Sequence, residues 1–505
     1  MAGIDTIQMN NMFMHGRRNI LTSEKQITDA NILEVLQKAF LIHSQSRSEI
    51  IWLKNYHRGI QSILNRTKEV RPEINNRVVE NHAAEIVSFK VGYVFGSPIQ
   101  LVQRGKCESH TPSFFRKLFK LPETEDARIA TLNEMLYEQG KAEEDVALGE
   151  DLAICGIGYR MALPKKNQMD DLAPFDMMTL LPENTFIVKS NDVYRRPMLS
   201  VSYVINPDNG KMTIGAYSDT LYWEVEGLSW TIPMQDVMSK PNTLRMIPII
   251  EYENNKSRMG SFEVVLPLLE AVNNATSDRL NDIAQFVQSL LWFNNCDIDE
   301  EQFAGLSAMG GIKTKSEPGN PAMVQYLTGI LDQGGTQVFK DDLYQMILTI
   351  AGVPDRRSST GGNTGQAIML ASGWATAESH ARITETIFSK SEKEFLRIVL
   401  RILKDSKGVD TELSKLAISD IDIKFSRNKN DNLLVKTQGL MNQLQSGIHP
   451  RIAIANCGLY SDPEQVYQDS IEFLEKWKTT KETQANNQPQ SEKKINAASD
   501  QQEAV

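Results

Sequence analysis

The chain has 505 residues, a formal net charge of −10 and a hydrophobic fraction of 41%. This length corresponds to roughly three or four domains of ordinary size, and the hydrophobic fraction is sufficient for packed cores. The acidic balance argues against a conventional DNA-binding protein, which clusters Lys and Arg to neutralise phosphates. No apolar run approaches the about 18 residues of a membrane span, and the first residues lack a secretion signal, so we expect neither membrane insertion nor secretion.

The N-terminal part of the chain is predicted to be helical. Residues 1–27 are typical of a flexible terminus, and apolar residues at three- and four-residue intervals predict a helix over 28–66. Proline and asparagine residues between positions 72 and 76 interrupt that pattern. A second helix is predicted from about Arg77 into the region of Gly92.

The next part combines a basic region, a helix and a set of strands. Residues 98–122 mix Lys and Arg with phenylalanines, a composition found in nucleic-acid contacts and, more often, in solvated loops. A helix is predicted over 127–152. In residues 153–255, alternating apolar positions and a turn at 206–210 predict an antiparallel β-subdomain.

A helix predicted over 261–293 carries two distinct faces. One face repeats at intervals of three and four positions and predicts a packing stripe: Leu269, Val272, Thr276, Leu280, Ile283, Val287 and Leu290. The opposite face is polar: Glu270, Asn274, Asp278, Asp282 and Gln285. The segment has four acids and one base, a net charge of −3. This face is therefore either a solvated helix surface or, repeated around a ring, the wall of a negatively charged tunnel.

Turns and helices alternate after this helix. Glycines and prolines in 294–335 predict several turns, and a helix is predicted over 338–351. The loop at 355–365 places Arg356 and Arg357 among glycines. It is either a plain surface turn or a mobile loop whose guanidinium groups can touch phosphate oxygens.

The C-terminal part is predicted to be helical up to a polar tail. A long helix is predicted over 366–404, and it has a small residue at every fourth position, which lets a neighbouring helix approach: Ala367, Ala371 and Ala375. Two further helices are predicted over 432–445 and 462–478. Residues 481–505 have no apolar periodicity and are predicted to be disordered.

Signals for catalysis and metal binding are weak. The cysteines are far apart and are expected to be free thiols in a reducing compartment: Cys107, Cys155, Cys296 and Cys457. A run of acids lacks the spacing of a calcium loop: Asp297, Asp299, Glu300 and Glu301. The glycine-rich run at 361–365 lacks the Lys-Ser/Thr pair of a phosphate-binding loop. We expect no cofactor, no metal and no catalytic residue, although a carboxylate site of the nuclease type remains open.

Four short motifs follow one another along the chain. Residues 56–66 read Tyr-His-Arg-Gly-Ile-Gln-Ser-Ile-Leu-Asn-Arg, and residues 75–81 read Asn-Asn-Arg-Val-Val-Glu-Asn. Residues 92–98 read Gly-Tyr-Val-Phe-Gly-Ser-Pro, and residues 247–255 read Ile-Pro-Ile-Ile-Glu-Tyr-Glu-Asn-Asn. In this order the motifs resemble the portal proteins of tailed bacteriophages, the head-to-tail connector rings, over about residues 28–480. The match before the long helix, Thr-Gly-Gln-Ala at 364–367, is partial.

The resemblance implies a predominantly helical α+β subunit of several parts. These are a flexible N-terminus 1–27, a mixed α/β wing with antiparallel hairpins 28–259, a stem helix 260–293, a small α/β clip 294–335, a second stem helix 336–352, a tunnel loop 353–365, a long wing and tunnel helix 366–404, a helical crown 405–480 and a disordered tail 481–505.

The resemblance also implies a function and a set of partners. The chain would be a non-enzymatic subunit of a ring, twelve copies in the virion, through which double-stranded DNA is packaged and ejected. Its other partners would be the terminase large subunit, a head-completion or tail adaptor, and the major capsid protein and scaffold. Assembly would take place in the host cytoplasm, and the mature ring would occupy a capsid vertex.

Particular residues receive roles on this interpretation. The polar stem face would line the DNA channel. The tunnel loop would contact DNA through Asp355, Arg356, Arg357, Ser358, Ser359, Thr360 and Asn363. The clip would meet the motor and adaptor through Asp297, Asp299, Glu300, Glu301, Lys313 and Lys315.

A passive mechanism follows from the charges. Acids on the stem wall, Asp278 and Asp282, would repel phosphates and keep the duplex central, while Arg356 and Arg357 would touch it transiently. Net acidity fits a conduit, because tight phosphate contacts would hold a sliding duplex in place. Two alternatives remain open: a metal-dependent phage enzyme that processes DNA, and a minor capsid or scaffold-like protein without a channel.

Overall fold

The computed structural model of the protein describes residues 16–69, 71–104, 127–165, 172–227, 235–287, 290–296, 319, 321–327, 333–355, 373–406, 413–427, 433–457, 459–460, 466–471 and 473. The described residues fall into two compact units. The first lies within Met1–Gly92, Ala147–Met161 and Met178–Glu392, and the second within Tyr93–Val146, Ala162–Met177 and Lys393–Val505. Both helices and antiparallel sheets are present, which confirms the α+β class.

The described helices and strands have the following bounds. The helices are α1 (Ile32–His57), α2 (His82–Val94), α3 (Ala127–Glu138), α4 (Lys141–Cys155), α5 (Leu266–Val287), α6 (Gln333–Ala351), α7 (Trp374–Asp405), α8 (Leu433–Gln445) and α9 (Pro450–Cys457). The strands are β1 (Ile20–Thr22), β2 (Gln100–Gln103), β3 (Ile157–Pro164), β4 (Phe175–Leu180), β5 (Thr185–Ser190), β6 (Pro197–Ile205), β7 (Met212–Tyr217), β8 (Leu221–Gly227), β9 (Gln235–Pro241), β10 (Ile249–Glu253), β11 (Leu290–Asn294), β12 (Met323–Leu327) and β13 (Ile421–Lys424).

A six-stranded sheet forms the main layer of the first unit. Its strand order is β1-β5-β6-β7-β8-β9, and each pair is antiparallel except β1 with β5. Side chains alternate along β7, where Met212, Ile214 and Ala216 are buried and Thr213 is exposed. This is the period-2 pattern of a sheet with one covered face. The predicted antiparallel β-subdomain is confirmed.

Helix α1 covers the buried face of this sheet. Leu36 and Phe40, one turn apart, point into a core that includes Phe186 and Trp223. The rings of Phe40 and Phe186 meet edge to face at 5.1 Å. The helix is shorter than predicted, because the chain leaves it at Gly59, which has a φ of 94° that favours glycine.

The prediction of a flexible terminus over 1–27 is wrong for its described part, because Ile20–Thr22 form β1 and Arg17 and Ile27 are buried. Three further predicted boundaries are also wrong. The second helix begins at His82 rather than at about Arg77, because the preceding residues bind another helix instead. The helix predicted over 261–293 is α5, which begins at Leu266 after a 3₁₀ turn and ends at Val287. The apolar residues Leu290–Asn294 leave the helix to pair with β12. The helix predicted over 127–152 is divided at Gly140, whose φ is 68°.

The packing stripe of α5 holds only near the start of the helix. Leu269 and Val272 are buried, but Leu280 and Ile283 are each 41% exposed. Other parts of the subunit therefore cover the N-terminal end of the stripe but leave Leu280 and Ile283 partly exposed.

The C-terminal predictions are confirmed only in part. Strand β13 lies within the predicted helical crown 405–480, and helix α9 was not predicted. Helix α6 matches the helix predicted over 338–351, and α8 matches the one over 432–445. The long helix predicted over 366–404 begins at Trp374 as α7, directly after Gly373, whose φ is 84°. Ala375 in its first turn is exposed, and Ala367 and Ala371 lie outside the described residues. Cys107 also lies outside them, and Cys155, Cys296 and Cys457 are free thiols.

The second unit contains a two-stranded sheet bounded by a helix. Strands β2 and β13 pair antiparallel. On the other side of β2, the side chain of Asn133 in α3 accepts a hydrogen bond from the Leu101 N–H at 3.3 Å and donates to the Leu101 carbonyl at 2.8 Å. An asparagine amide thus takes the place of a third strand.

Candidate functional site

The predicted polar face of α5 is largely on the surface of the subunit. Asn274, Asp278, Asp282 and Gln285 are exposed, whereas Glu270 is half-buried and burial raises the pKa of its carboxyl. Arg66, from the segment after α1, pairs with the carboxylate of Asp278. The structure therefore brings four of the five predicted residues to one exposed face, and neutralises one of its two aspartates.

A second polar row on α5 is buried, and the sequence analysis missed it. Asn273, Ser277 and Asn281, four residues apart, are 0%, 0% and 2% exposed. We call these three the ladder residues. They are buried because the segment before α2 lies on this side of α5. Each has hydrogen-bonding capacity that burial requires to be satisfied.

The ladder residues bind the backbone of the segment before α2. Asn281 Oδ1 accepts from the N–H of Asn76 at 2.6 Å, and Ser277 Oγ accepts from that of Val78 at 2.9 Å. Asn273 Oδ1 accepts from the N–H of Glu80 at 2.8 Å. The segment runs antiparallel to α5, and every second residue of it is bound.

The spacing of the two partners explains this pattern. Four residues of α-helix advance about 6.0 Å, and two residues of extended chain advance about 6.6 Å. Asparagine or serine at every fourth helical position therefore meets alternate N–H groups of an extended segment. The motif at 75–81 is thus a segment bound to α5 rather than a turn followed by a helix. Its signal in the sequence is the Asn-x-x-x-Ser-x-x-x-Asn spacing of residues 273–281.

Glu80 joins the segment to both α5 and α6. Its carboxylate accepts hydrogen bonds from Lys340 Nζ at 2.5 Å, from Thr276 Oγ1 and from His82 Nε2 at 3.3 Å. Burial would raise the pKa of this carboxyl, but the three donors together lower it to about 2. Glu80 therefore stays ionised at any physiological pH.

His82 lies between two carboxylates at the start of α2. Its Nε2 faces Glu80, and its Nδ1 is 2.9 Å from Glu85 Oε2. The hydroxyl of Tyr344 donates to Glu85 at 3.0 Å, and its ring lies 4.7 Å from the imidazole. Burial would lower the pKa of His82, but the two carboxylates outweigh it and raise the pKa. The protonated imidazole is therefore stabilised between α2 and α6.

The motif at 247–255 contains β10 and lies in the chain just before α5. Arg258 donates to Glu251 at 2.7 Å and to Glu253 at 2.8 Å, and Lys189 is 2.5 Å from Glu251. Burial would raise the pKa of Glu251, but the two cations lower it to about 2. The hydroxyl of Tyr252 donates to the fully buried Glu392 of α7 at 2.7 Å. These side chains are structural, since each anchors one element to another.

A second buried ion group holds the 3₁₀ turn that precedes α5. Arg17 Nη2 lies 2.7 Å from Glu263 Oε2, and its Nε lies 3.2 Å from Glu49 Oε2. All three residues are at most 4% exposed. Burial raises the pKa of Glu263 to about 7 and raises that of Glu49, because one guanidinium does not compensate two buried carboxylates.

Two glycines let the backbone around residues 154–156 approach that around residues 258–260 closely. A Cβ at Gly260 would stand 2.2 Å from the Ile154 carbonyl oxygen, and one at Gly156 would stand 2.4 Å from that of Arg258. Only glycine fits at these contacts.

Most of the predicted loop and clip residues cannot be placed. Of the predicted DNA-contact residues in the tunnel loop only Asp355 is described, and it accepts a hydrogen bond from Gln345 at 2.7 Å. Outside the described residues lie Arg356, Arg357, Ser358, Ser359, Thr360 and Asn363 of that loop, and Asp297, Asp299, Glu300, Glu301, Lys313 and Lys315 of the clip.

Two other kinds of feature are absent from the described part of the chain. No group of three or more His, Cys, Asp or Glu is arranged there to hold a metal ion. None of the helices described is both long and apolar enough to cross a bilayer.

Comparison with known proteins identifies the class. The family model described as phage portal protein, SPP1 Gp6-like, matches residues 37–487. Because the match covers most of the chain, the protein belongs to the phage portal family, as the motifs predicted. This is a family of structural proteins rather than enzymes. A search of curated proteins finds no match.

Proposed function

We propose that the chain is the portal vertex subunit of a tailed phage. Twelve copies form a ring that conducts double-stranded DNA into the capsid during packaging and out of it during ejection. The ring also serves as the platform for the terminase large subunit and the tail adaptor, and it contacts the major capsid protein and scaffold. The family match over residues 37–487 carries this proposal, since the family implies a homo-oligomeric ring at the capsid vertex.

The helix pair α5–α6 is the proposed stem. The two helices pack against each other, and Arg279 of α5 donates to Gln337 of α6 at 2.6 Å. Of the polar face, Asn274, Asp278, Asp282 and Gln285 are exposed, so these four residues are the ones proposed to face DNA. The charge of Asp278 is already balanced by Arg66, which leaves Asp282 as the main source of repulsion.

The remaining roles follow the family scheme. The tunnel loop at 353–365 is proposed to touch the duplex through Arg356 and Arg357, whose guanidinium groups suit phosphate oxygens. The clip at 294–335 is proposed to meet the motor and the adaptor. The wing is proposed to span 28–259 and the crown 405–480.

Electron microscopy of the purified full-length chain tests the proposal. We expect class averages, viewed down the axis, to show rings with rotational symmetry and a central hole wide enough for a DNA duplex. Closed oligomers without a hole, seen alike in the free protein and in extracts of particles, would refute the conduit. Cleavage of DNA by the purified chain with magnesium would instead favour an enzyme.

A further inference from the structure

Helix α2 runs alongside the second half of α6. At the start of α2, Glu85 accepts a hydrogen bond from the hydroxyl of Tyr344 at 3.0 Å, and the ring of Tyr344 lies 4.7 Å from that of His82. Further along, Lys90 Nζ donates to the carbonyl oxygen of Gly352 at 3.2 Å. From 82 to 90 and from 344 to 352 the contacts advance by the same eight residues, or about 12 Å of helix. The two helices are therefore parallel, and the second contact holds the end of α6.

Lys90 is a half-buried cation without a counter-ion. Among the described residues, its hydrogen-bond acceptor is the Gly352 carbonyl, and no carboxylate pairs with it. Burial lowers the pKa of Lys90 to about 8, and burial together with the charge of Lys90 lowers the pKa of the neighbouring His380 in α7. The C-terminal end of a helix carries partial negative charge, so the end of α6 supplies the stabilisation that a carboxylate would otherwise give.

The chain leaves α6 and enters α7 at neighbouring points. Gly352, directly after α6, has a φ of 63°, and a Cβ at this position would stand 2.5 Å from His380 Nδ1. A Cβ at Gly373, directly before α7, would stand 3.8 Å from the Cα of the buried Pro354. The two ends of the segment between α6 and α7 are thus packed against each other.

Helix α2 contacts both of these ends. The ring of Phe89, which is 8% exposed, meets that of Trp374 at the start of α7 edge to face at 6.0 Å. The next residue, Lys90, binds the end of α6. One turn of α2 therefore fixes the place at which the chain departs from α6 and the place at which it returns.

We infer that Lys90 is a positioning residue for the proposed DNA contact of Arg356 and Arg357. Its ammonium group fixes the carbonyl of Gly352, and four residues, at most about 14 Å of extended chain, separate Gly352 from Arg356. The direction in which the chain leaves this fixed point limits where the two guanidinium groups can reach. The inference rests on the proposed function, which assigns these arginines to DNA.

Hydrogen exchange of the full-length protein tests whether Lys90 holds the end of α6. Lys90→Met removes the donor, Lys90→Arg keeps one, and Lys390→Met, at an exposed position of α7, is the control. The amides of Gly352 and Val353 are bonded to carbonyls of α6. We expect them to exchange roughly ten-fold faster in Lys90→Met, less so in Lys90→Arg, and at the wild-type rate in the control. Unchanged exchange in Lys90→Met would overturn the inference.

A double-mutant cycle tests whether Lys90 acts through the two arginines. Lys90→Met is introduced into the wild type and into a background with Arg356→Ala and Arg357→Ala, and duplex DNA binding is measured by fluorescence anisotropy. We expect Lys90→Met to weaken binding several-fold in the wild type and by less than about two-fold in the arginine-free background. A purely structural role would weaken binding equally in both backgrounds, and that result would overturn the inference.

The outcomes separate this inference from the proposed function. DNA binding that is unchanged by the loss of both arginines would refute their proposed contact with DNA, and the positioning role with it. Binding that depends on the arginines but is insensitive to Lys90→Met would overturn the positioning role alone and leave the portal function standing.

Discussion

Arg66 pairs with Asp278 across the exposed face of α5. The two residues are 212 positions apart, and the pair joins the segment after α1 to the proposed stem. One of the two aspartates expected to repel DNA is thus neutralised within its own subunit. Among the described residues no ion pair joins Asp282, so the two acids are not equivalent.

Substitution of Asp282 should change DNA affinity alone, whereas substitution of Asp278 should change both DNA affinity and the stability of the subunit. Asp282→Lys places a cation on the proposed channel wall, and we expect tighter binding of duplex DNA and a steeper dependence on salt, by about one phosphate contact per engaged subunit. Asp278→Lys should in addition destabilise the subunit, because the introduced ammonium group would face the guanidinium of Arg66. Fluorescence anisotropy over a salt series measures the first effect, and urea unfolding the second. Identical DNA binding in the Asp282 variant and the wild type would contradict repulsion.

Removal of a ladder residue should destabilise the subunit. Asn273→Ala leaves the N–H of Glu80 and the Oε1 of Gln61, its two partners, without their hydrogen bonds in a buried site. The expected loss is about 1–3 kcal/mol of unfolding free energy. Asn274→Ala, next along the helix but exposed, should change it by less than about 0.5 kcal/mol. Urea unfolding of both variants measures the difference, and equal losses would show that the ladder carries no stability.

Removal of the Arg17 side chain should lower the unfolding free energy at neutral pH. Arg17→Met leaves Glu49 and Glu263 buried without their cation, and we expect a loss of roughly 3–5 kcal/mol. The loss should shrink as pH falls from 8 to 5, because the stranded carboxyls can then take up protons. Lys25→Met, at an exposed position of the same segment, is the control and should stay within about 0.5 kcal/mol. A pH-independent loss would mean that Arg17 acts through packing alone.

The His82 contact should depend on pH. Its folded pKa is raised above the ordinary 6.5, so its stabilisation is fully present below pH 6.5 and is lost as pH rises through the folded value. The gap in unfolding free energy between the wild type and His82→Gln should therefore be largest below pH 6.5 and should narrow as pH rises through the folded value. Glu80, with a pKa of about 2, stays ionised across this range and does not distort the comparison. A gap that widened with pH would show that neutral His82 is the stabilising form.

Two glycines should respond oppositely to alanine. Gly260→Ala would force the Ile154 carbonyl away from a 2.2 Å contact, and we expect destabilisation large enough to lower the soluble yield. Gly92→Ala lies in helix α2 with no atom within 4 Å of the new Cβ, and it should stabilise the subunit by about 0.5–1 kcal/mol. Thermal melting ranks both against the wild type. A stabilised Gly260 variant would mean that the backbone there can move apart.

The sequence predicted those elements whose signal is local. Alternation and turn residues were enough for β6, β7 and β8, and helical periodicity was enough for α6 and α8. The helix start at His82 could not be predicted this way, since the residues before it are held by Asn273, Ser277 and Asn281, about 200 positions away. Leu290–Asn294 continue the apolar pattern of α5, yet their strand partner lies beyond a separate segment.

In the candidate site, too, features with a local sequence signal were predictable and those that depend on distant segments were not. Four of the five residues in the polar row of α5 are exposed, as the period predicted, and their contact with DNA stays a prediction. The buried row beside it was not, because asparagine and serine in a helix more often face solvent than a backbone partner. The pairing of Asp278 with Arg66 also had no sequence signal, since it depends on how two distant segments meet.

The ladder residues also fix the axial position of α5 relative to the 76–80 segment. Three side chains spaced by one helical turn accept bonds in a single register, so α5 cannot slide along its own axis against the 76–80 segment without breaking all three. In a symmetric ring, every Asp282 would then stand at the same level. The Asp282 carboxylates would therefore form one narrow ring of negative charge around the channel. Each phosphate of a moving duplex would pass this ring in turn, rather than experience repulsion along the whole wall.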